Sequence, residues 1–234
     1  MKKYTLTLLL TAAPLFAGTP APVAPAPQPA PQGVSTGMYL NVGAAWEEDL
    51  DITTDFGFGT AINPKLQFDT GIRVDIGYQW AMSEHFALQF ETGFIWNGVN
   101  DLRLDTAYFG TPSTSVSGNL WQIPVLANLI YNIPLNPGLN LYFGAGVGLT
   151  VSWLDLENSN SDAVAFAYQG VAGLNYAITP NIELGIAYKF LGTTSQTFSD
   201  IGSRYGYGYY SGNSSVDVGS AWNQSVLLTF LYKF

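Results

Sequence analysis

The sequence predicts an all-β fold, an eight-stranded antiparallel transmembrane up-and-down β-barrel. Only 11% of its 234 residues are charged, against roughly 25% in an ordinary soluble domain, which leaves too few charges to cover a water-facing surface. No segment after the N-terminus has the roughly 18 consecutive apolar residues of a spanning helix. The chain instead carries repeated runs in which apolar and polar residues alternate, the period of a strand with one apolar and one wet face. With 25 Gly, 14 Tyr and 14 Phe the composition suits sheet, and a closed sheet is the other structure that satisfies its backbone in lipid.

Residues 1–17, MKKYTLTLLLTAAPLFA, read as a secretory signal peptide, because Lys2 and Lys3 precede an apolar run that ends on a small residue. The run falls short of the roughly 20 residues that a spanning helix needs. Removing it leaves six basic residues against 17 acidic ones, a net charge of −11, which argues against a nucleic-acid partner. The chain has no cysteine, so disulfides, thiolate metal sites and a lipid carried on an N-terminal cysteine are excluded. Residues 18–36 read as a Pro/Ala-rich periplasmic spacer with proline at 20, 22, 25, 27, 29 and 31. Such a run favours polyproline II and, at about 3.1 Å per residue, reaches roughly 50 Å.

The barrel itself is expected over 37–234, in eight runs. The first, 37–47, puts Met38, Leu40, Val42, Ala44 and Trp46 on one face. The second, LQFDTGIRVDIGYQW, sets the even positions from Leu66 and Phe68 to Trp80 toward lipid and Asp69, Arg73 and Asp75 inward. The others lie near 86–97, 120–133, 141–153, 164–178, 182–191 and 221–234. Each reaches the roughly 9 to 11 residues that a tilted spanning strand needs. Short connections (AMSEH, PLNPG, TPN) alternate with long ones, the pattern of periplasmic turns and external loops, and an even strand count places both chain ends on the periplasmic side. Pro124 falls inside the fourth run, where proline removes a ladder donor, so a local bulge is expected there.

Tryptophan concentrates at membrane interfaces, where one edge of the ring stays wet. Trp46, Trp96, Trp121, Trp153 and Trp222 fall at expected external strand ends and Trp80 at a periplasmic end. The six form two girdles.

The runs LYFGAGVGL (141–149), FAYQGVAGLNYAITPNIELGIAYKF (166–190), LWQIPVLANLIYNI (120–133) and the closing VLLTFLYKF together resemble the small eight-stranded outer-membrane barrels, the group of OmpX, the transmembrane part of OmpA and the opacity proteins. The resemblance covers about 37–234. It implies an exported protein of a Gram-negative-type outer membrane, surrounded by lipid bilayer and lipopolysaccharide. It also implies that Tyr232 and the terminal Phe234 act as the C-terminal signal read by the barrel-assembly machinery.

Arg73, Asp75, Glu91 and Lys189 are expected to form a lumen charge network, with Glu47, Glu183 and Lys233 as further inward charges. A turn centred near Ser83 sets Asp75 opposite Glu91 and Arg73 diagonal to it, so that the guanidinium relieves the repulsion of two carboxylates. Paired acids serve hydrolysis only around a cleft that admits substrate, and eight strands enclose just enough room for their own side chains. The role is therefore structural, with no catalytic residue, metal or cofactor expected. His85, the one histidine, sits in the turn SEHF beside Ser83 and Glu84, and neighbours on one tight turn seldom converge as a triad does. The stretch DLENSNSD (155–162) offers alternating oxygens but lacks the glycine and distal glutamate of an EF-hand loop.

The function expected is that of a non-enzymatic outer-membrane barrel with surface-exposed loops, in a structural or adhesin-like role. The candidate ligand-binding loops are 97–119 and 192–220, the latter centred on SRYGYGYYSGN, where Tyr and Gly give contact area on an adaptable backbone. The alternative is a narrow porin-like channel for small solutes. Inward glycines at 43, 71, 77, 93, 144, 146, 148, 173 and 185 would thin the lumen packing and favour it; Arg73, Glu91, Tyr142 and Lys189 oppose it.

Overall fold

The computed structural model of the protein describes residues 34–53, 63–105, 113–156, 159–199 and 215–234. The expected signal peptide and all but the last three residues of the expected spacer lie outside them.

Eight strands close the barrel in chain order. They are β1 (Gly37–Glu47), β4 (Gly71–Ala81), β5 (Phe86–Asp105), β6 (Ser113–Asn136), β7 (Leu139–Leu156), β8 (Ser159–Thr179), β9 (Ile182–Thr193) and β12 (Trp222–Lys233). Every neighbouring pair is antiparallel, and β1 closes the ring by pairing with both β4 and β12. Closure leaves no unpaired edge around the ring, which is what a sheet in lipid requires. The alternation seen in the sequence is obeyed: on β12, residues 225 to 233 alternate buried and exposed without a break. Outside stands a belt of Leu40, Ile76, Val125, Val147, Ile186 and Leu228.

Four short strands continue the wall at the long-hairpin end: β2 (Leu50–Thr53), β3 (Asn63–Phe68), β10 (Gln196–Ser199) and β11 (Ser215–Val218). β3 pairs with the upper part of β5, β2 with β3, β11 with β2 and β10 with β11. Stretches that read as external loops are thus largely strand. Of the expected loop 97–119, residues 97–105 and 113–119 belong to β5 and β6 while 106–112 lie outside the described residues, and 192–220 contains the end of β9, β10 and β11, with SRYGYGYYSGN outside the described residues. The described residues of DLENSNSD are likewise strand in the β7–β8 ladder, with Asp155 paired to Asn160.

The second run corrects its sequence reading. LQFDTGIRVDIGYQW is two strands, β3 and β4, separated at Asp69 and Thr70. From Ile72 to Trp80 the even residues face out, but Leu66 is fully buried and packs inside with Leu50, Val99 and Leu120, with Phe68 against the same cluster. Asp69 is exposed rather than luminal. A bulge between Gln67 and Phe68 in the β3–β5 ladder accompanies the reversal, since one extra residue exchanges the two faces of a strand.

Pro124 makes no bulge. The β6–β7 register runs unbroken through Pro124↔Thr150, and the β5–β6 register is the same on both sides of the proline. The ladder merely lapses opposite Gly93 and Phe94, because the missing N–H deletes a rung without adding a residue. Bulges fall instead at Pro134/Asn136 and Ala177/Thr179, beside the short turns. Gly138, at φ 87°, makes the first of those turns, in a conformation that glycine adopts without steric cost.

Candidate functional site

The inward faces of six strands meet in one polar layer at mid-barrel. β4 contributes Arg73 and Asp75, β5 Glu91, β9 Lys189, β8 Gln169, β6 Asn128 and β1 Tyr39. Arg73 Nε donates to Asp75 Oδ1 at 2.8 Å, and its Nη2 donates to Glu91 Oε1 at 3.4 Å and to Gln169 Oε1 at 2.6 Å. Lys189 Nζ donates to Asp75 Oδ2 at 2.8 Å and also to Glu91 Oε2. Tyr39 Oη donates to Glu91 Oε2 at 2.8 Å, and Gln169 Nε2 to Glu91 Oε1 and Asn128 Oδ1, both at 3.1 Å.

Both cations and both carboxylates are buried. Two positive and two negative charges sum to zero, and every carboxylate oxygen accepts at least one charged donor. A buried charge is tolerable when it is paired and hydrogen-bonded in this way.

The structure therefore brings Arg73, Asp75, Glu91 and Lys189 together, with one correction to the register. Asp75 stands opposite Gly93 and Glu91 opposite Gly77, because the hairpin is centred on Glu84 rather than Ser83. Ser83 fixes that centre: its Oγ accepts the N–H of Phe86 at 3.1 Å and of His85 at 3.4 Å. The two carboxylates meet diagonally. Sequence reasoning missed Tyr39, Gln169 and Asn128. Their inward phase is legible from the alternation of each run, but their convergence spans strands that share no ladder.

The glycines do not thin the packing. The ring of Tyr39 occupies the space that a side chain at Gly77 would fill, and the carboxylate of Asp75 does the same at Gly93. Both are direct cross-strand pairs. Tyr142 and Gly173, Asn128 and Gly146, and Asn175 and Gly185 repeat the arrangement. A glycine here marks the close approach of a large neighbour, so the expected thinning is overturned.

Largely apolar layers lie on both sides of the charges. Toward the short turns stand Ala87, Ile130, Tyr142, Val171, Ala187 and Leu227. Toward the long hairpins stand Ala45, Ile95, Leu126, Ala167 and Leu191, and beyond them a second apolar cluster around Leu120, Leu154 and Phe198. Glu47 accepts from Asn223 Nδ2 at 2.9 Å between those two clusters, and Lys233 Nζ donates to Glu183 Oε1 at 3.0 Å near the short-turn mouth.

Outside, Trp96, Trp121 and Trp153 are consecutive cross-strand partners on β5, β6 and β7. Trp222 packs on Phe190 at 5.0 Å and on Tyr168 at 5.7 Å, and Trp46, also outward, lies opposite Gln224. Trp80 is exposed at the opposite end of the barrel wall, the end that also carries the ring contacts of Phe86, Tyr131 and Phe143. Tyr232 and Phe234 point outward there, their rings edge to face at 5.7 Å. His85 stacks on Tyr131 at 5.9 Å, on the outer side of the turn.

The family model described as the outer membrane protein beta-barrel domain matches residues 11–234 of the chain. No curated protein matches it in sequence. Among solved structures, the outer membrane protein OprG from Pseudomonas aeruginosa is 16% identical with a TM-score of 0.56, over 87% of this chain and 98% of that one. The outer membrane protease OmpT from Escherichia coli is 7% identical with a TM-score of 0.51, over 86% and 97%. Neisserial surface protein A is 16% identical with a TM-score of 0.47, over 86% and 99%. At such identities the likeness shows the fold alone.

Proposed function

We propose, because this chain belongs to the outer membrane protein β-barrel family, that it works as a closed, non-enzymatic surface barrel whose external strand extensions and their tips meet envelope or external partners. It is an integral protein of the outer membrane in contact with the lipid bilayer. One observation carries the reading: the lumen is filled across its width by the layer joining Arg73, Lys189, Asp75 and Glu91, with largely apolar layers above and below. A bore closed by neutralised charges and packed methyl groups supports a structural or surface-interaction role over a channel. The four charged residues hold the wall in register and the lumen shut.

The same observation argues against enzymatic work. His85 lies in a turn far from the carboxylates, and the Ser83 hydroxyl beside it is engaged by backbone N–H groups. On this reading the short-turn end faces the periplasm. The outward aromatic pair Tyr232 and Phe234 presents the residues that the barrel-assembly machinery reads, and the tryptophans of the long-hairpin end stand at the lipopolysaccharide leaflet.

A single-channel recording on refolded protein tests the proposal. Silence at physiological salt is expected, and a steady conductance would move the assignment to the narrow channel.

A further inference from the structure

The three described residues before β1 do not trail away from the barrel. The Val34 N–H donates to the carbonyl of Glu84 at 3.1 Å, in the β4–β5 turn. Gln79 Nε2 donates to the Ser35 carbonyl at 2.8 Å, and Gln79 is itself held by Gln89 at 2.8 Å. Thr36 accepts twice, through Oγ1 from the Ala81 N–H and through its carbonyl from the Phe234 N–H, both at 3.1 Å. These bonds draw the segment over the short-turn opening. There Val34 packs against the buried layer of Ala87, Ile130 and Ala187.

The opening is a polar pocket in which Val34 and Ser35 already sit, beside Asn132, Asn175 and Glu183. Two buried side-chain atoms of that pocket, Asn132 Nδ2 and Asn175 Oδ1, make no hydrogen bond among the described residues. One is a donor and the other an acceptor, the two groups that a further peptide unit offers.

We propose that the short-turn mouth is an acceptor site for the chain's own N-terminal segment, and that Val34 is the stopper sealing the lower lumen from water. Hydrogen bonds to Gln79, Ala81, Glu84 and Phe234 set the position of the segment, and the side chain of Val34 completes a largely apolar layer that would otherwise be open on one side.

The absence of native cysteine makes the site directly testable. Cysteine replaces Ala87 in the layer that Val34 covers or, as a control, Ala45 in the layer beyond the charges. Refolded protein is then treated with a membrane-impermeant thiol reagent added on the short-turn side. With the wild-type segment both cysteines should react slowly. Val34→Asp, or deletion of residues 18–36, should speed labelling of Ala87→Cys by about tenfold or more through local loss of protection and leave Ala45→Cys unchanged. Equal protection of Ala87→Cys with and without the stopper overturns the proposal. Reaction at both positions overturns it too, since that would mean a loosened barrel rather than an opened mouth. Should the deletion fail to refold, the Val34→Asp point variant gives the same reading in the full chain.

Discussion

Lys189 of β9 donates to Asp75 of β4 at 2.8 Å across the lumen, between strands that share no ladder. The bond ties opposite walls together, and Arg73 neutralises the same carboxylates from the β4 side. Lys189→Met should therefore lower unfolding stability by about 3 to 5 kcal/mol, the cost of leaving a buried charge unmatched. Adding Asp75→Asn restores neutrality between Arg73 and Glu91 and should recover much of that loss. Urea titrations of the two single variants and the double measure the coupling, and strictly additive losses would show that the four charges do not act as one unit.

Gly77→Ala should be destabilising although alanine is small and sheet-compatible. The ring of Tyr39 already fills the position, and overpacking costs about 1 to 3 kcal/mol. Placing alanine at Gly98, which has only distant neighbours, should leave the unfolding midpoint close to wild type. Matching losses at the two glycines would mean that Tyr39 yields freely.

Leu228 is 66% exposed on the outer face of β12, between Val42 and Ile186. Lysine there should cost roughly 2 to 4 kcal/mol near the bilayer midplane, whereas Leu228→Ile should be nearly silent. The measurement is refolding into lipid vesicles, and tolerance of the lysine would reverse the inside and outside of the wall.

Variants keeping only Trp80 or only Trp121 should both be quenched by lipids brominated near the headgroup and spared by lipids brominated at the chain ends, because the indole prefers the interface. Strong deep quenching of either would displace its girdle.

Unboiled protein should migrate differently from boiled protein on a detergent gel, because a closed ladder has no edge from which to fray. Identical migration of the two samples would contradict closure.

Eight alternating runs made the barrel legible, since a strand between lipid and a filled lumen must repeat every second residue. The same period hides a change of phase. Leu66 and Phe68 look continuous with Ile72 and Val74 because leucine suits either a lipid face or a packed interior, and no composition marks the break at Asp69 and Thr70. Strand ends were misread for a related reason. Beyond the bilayer the wall faces water on its outer side, so polar stretches such as Ser113 to Asn119 pair as strand while reading as loop. Arg73, Asp75, Glu91 and Lys189 were identifiable as charges in the inward phase of apolar strands. Tyr39 and Gln169 were not, because neutral inward residues are common and only the shear of the barrel brings these two to Glu91.

The continuation of β5 and β6 past Trp96 and Trp121 has an evolutionary consequence. Eight residues separate Trp121 from Ser113, which at about 3.4 Å each and a tilt near 40° lifts the end of the ladder roughly 20 Å above the tryptophans. Above pairs such as Trp96 with Trp121 the ladder shifts register once, between Val99 and Asp101, before it continues to Arg103 and Ser113. Substitutions in this upper ladder lie far from the lower wall and can be tolerated without disturbing it. Two relatives could differ widely in that upper ladder and still assemble the same lower barrel.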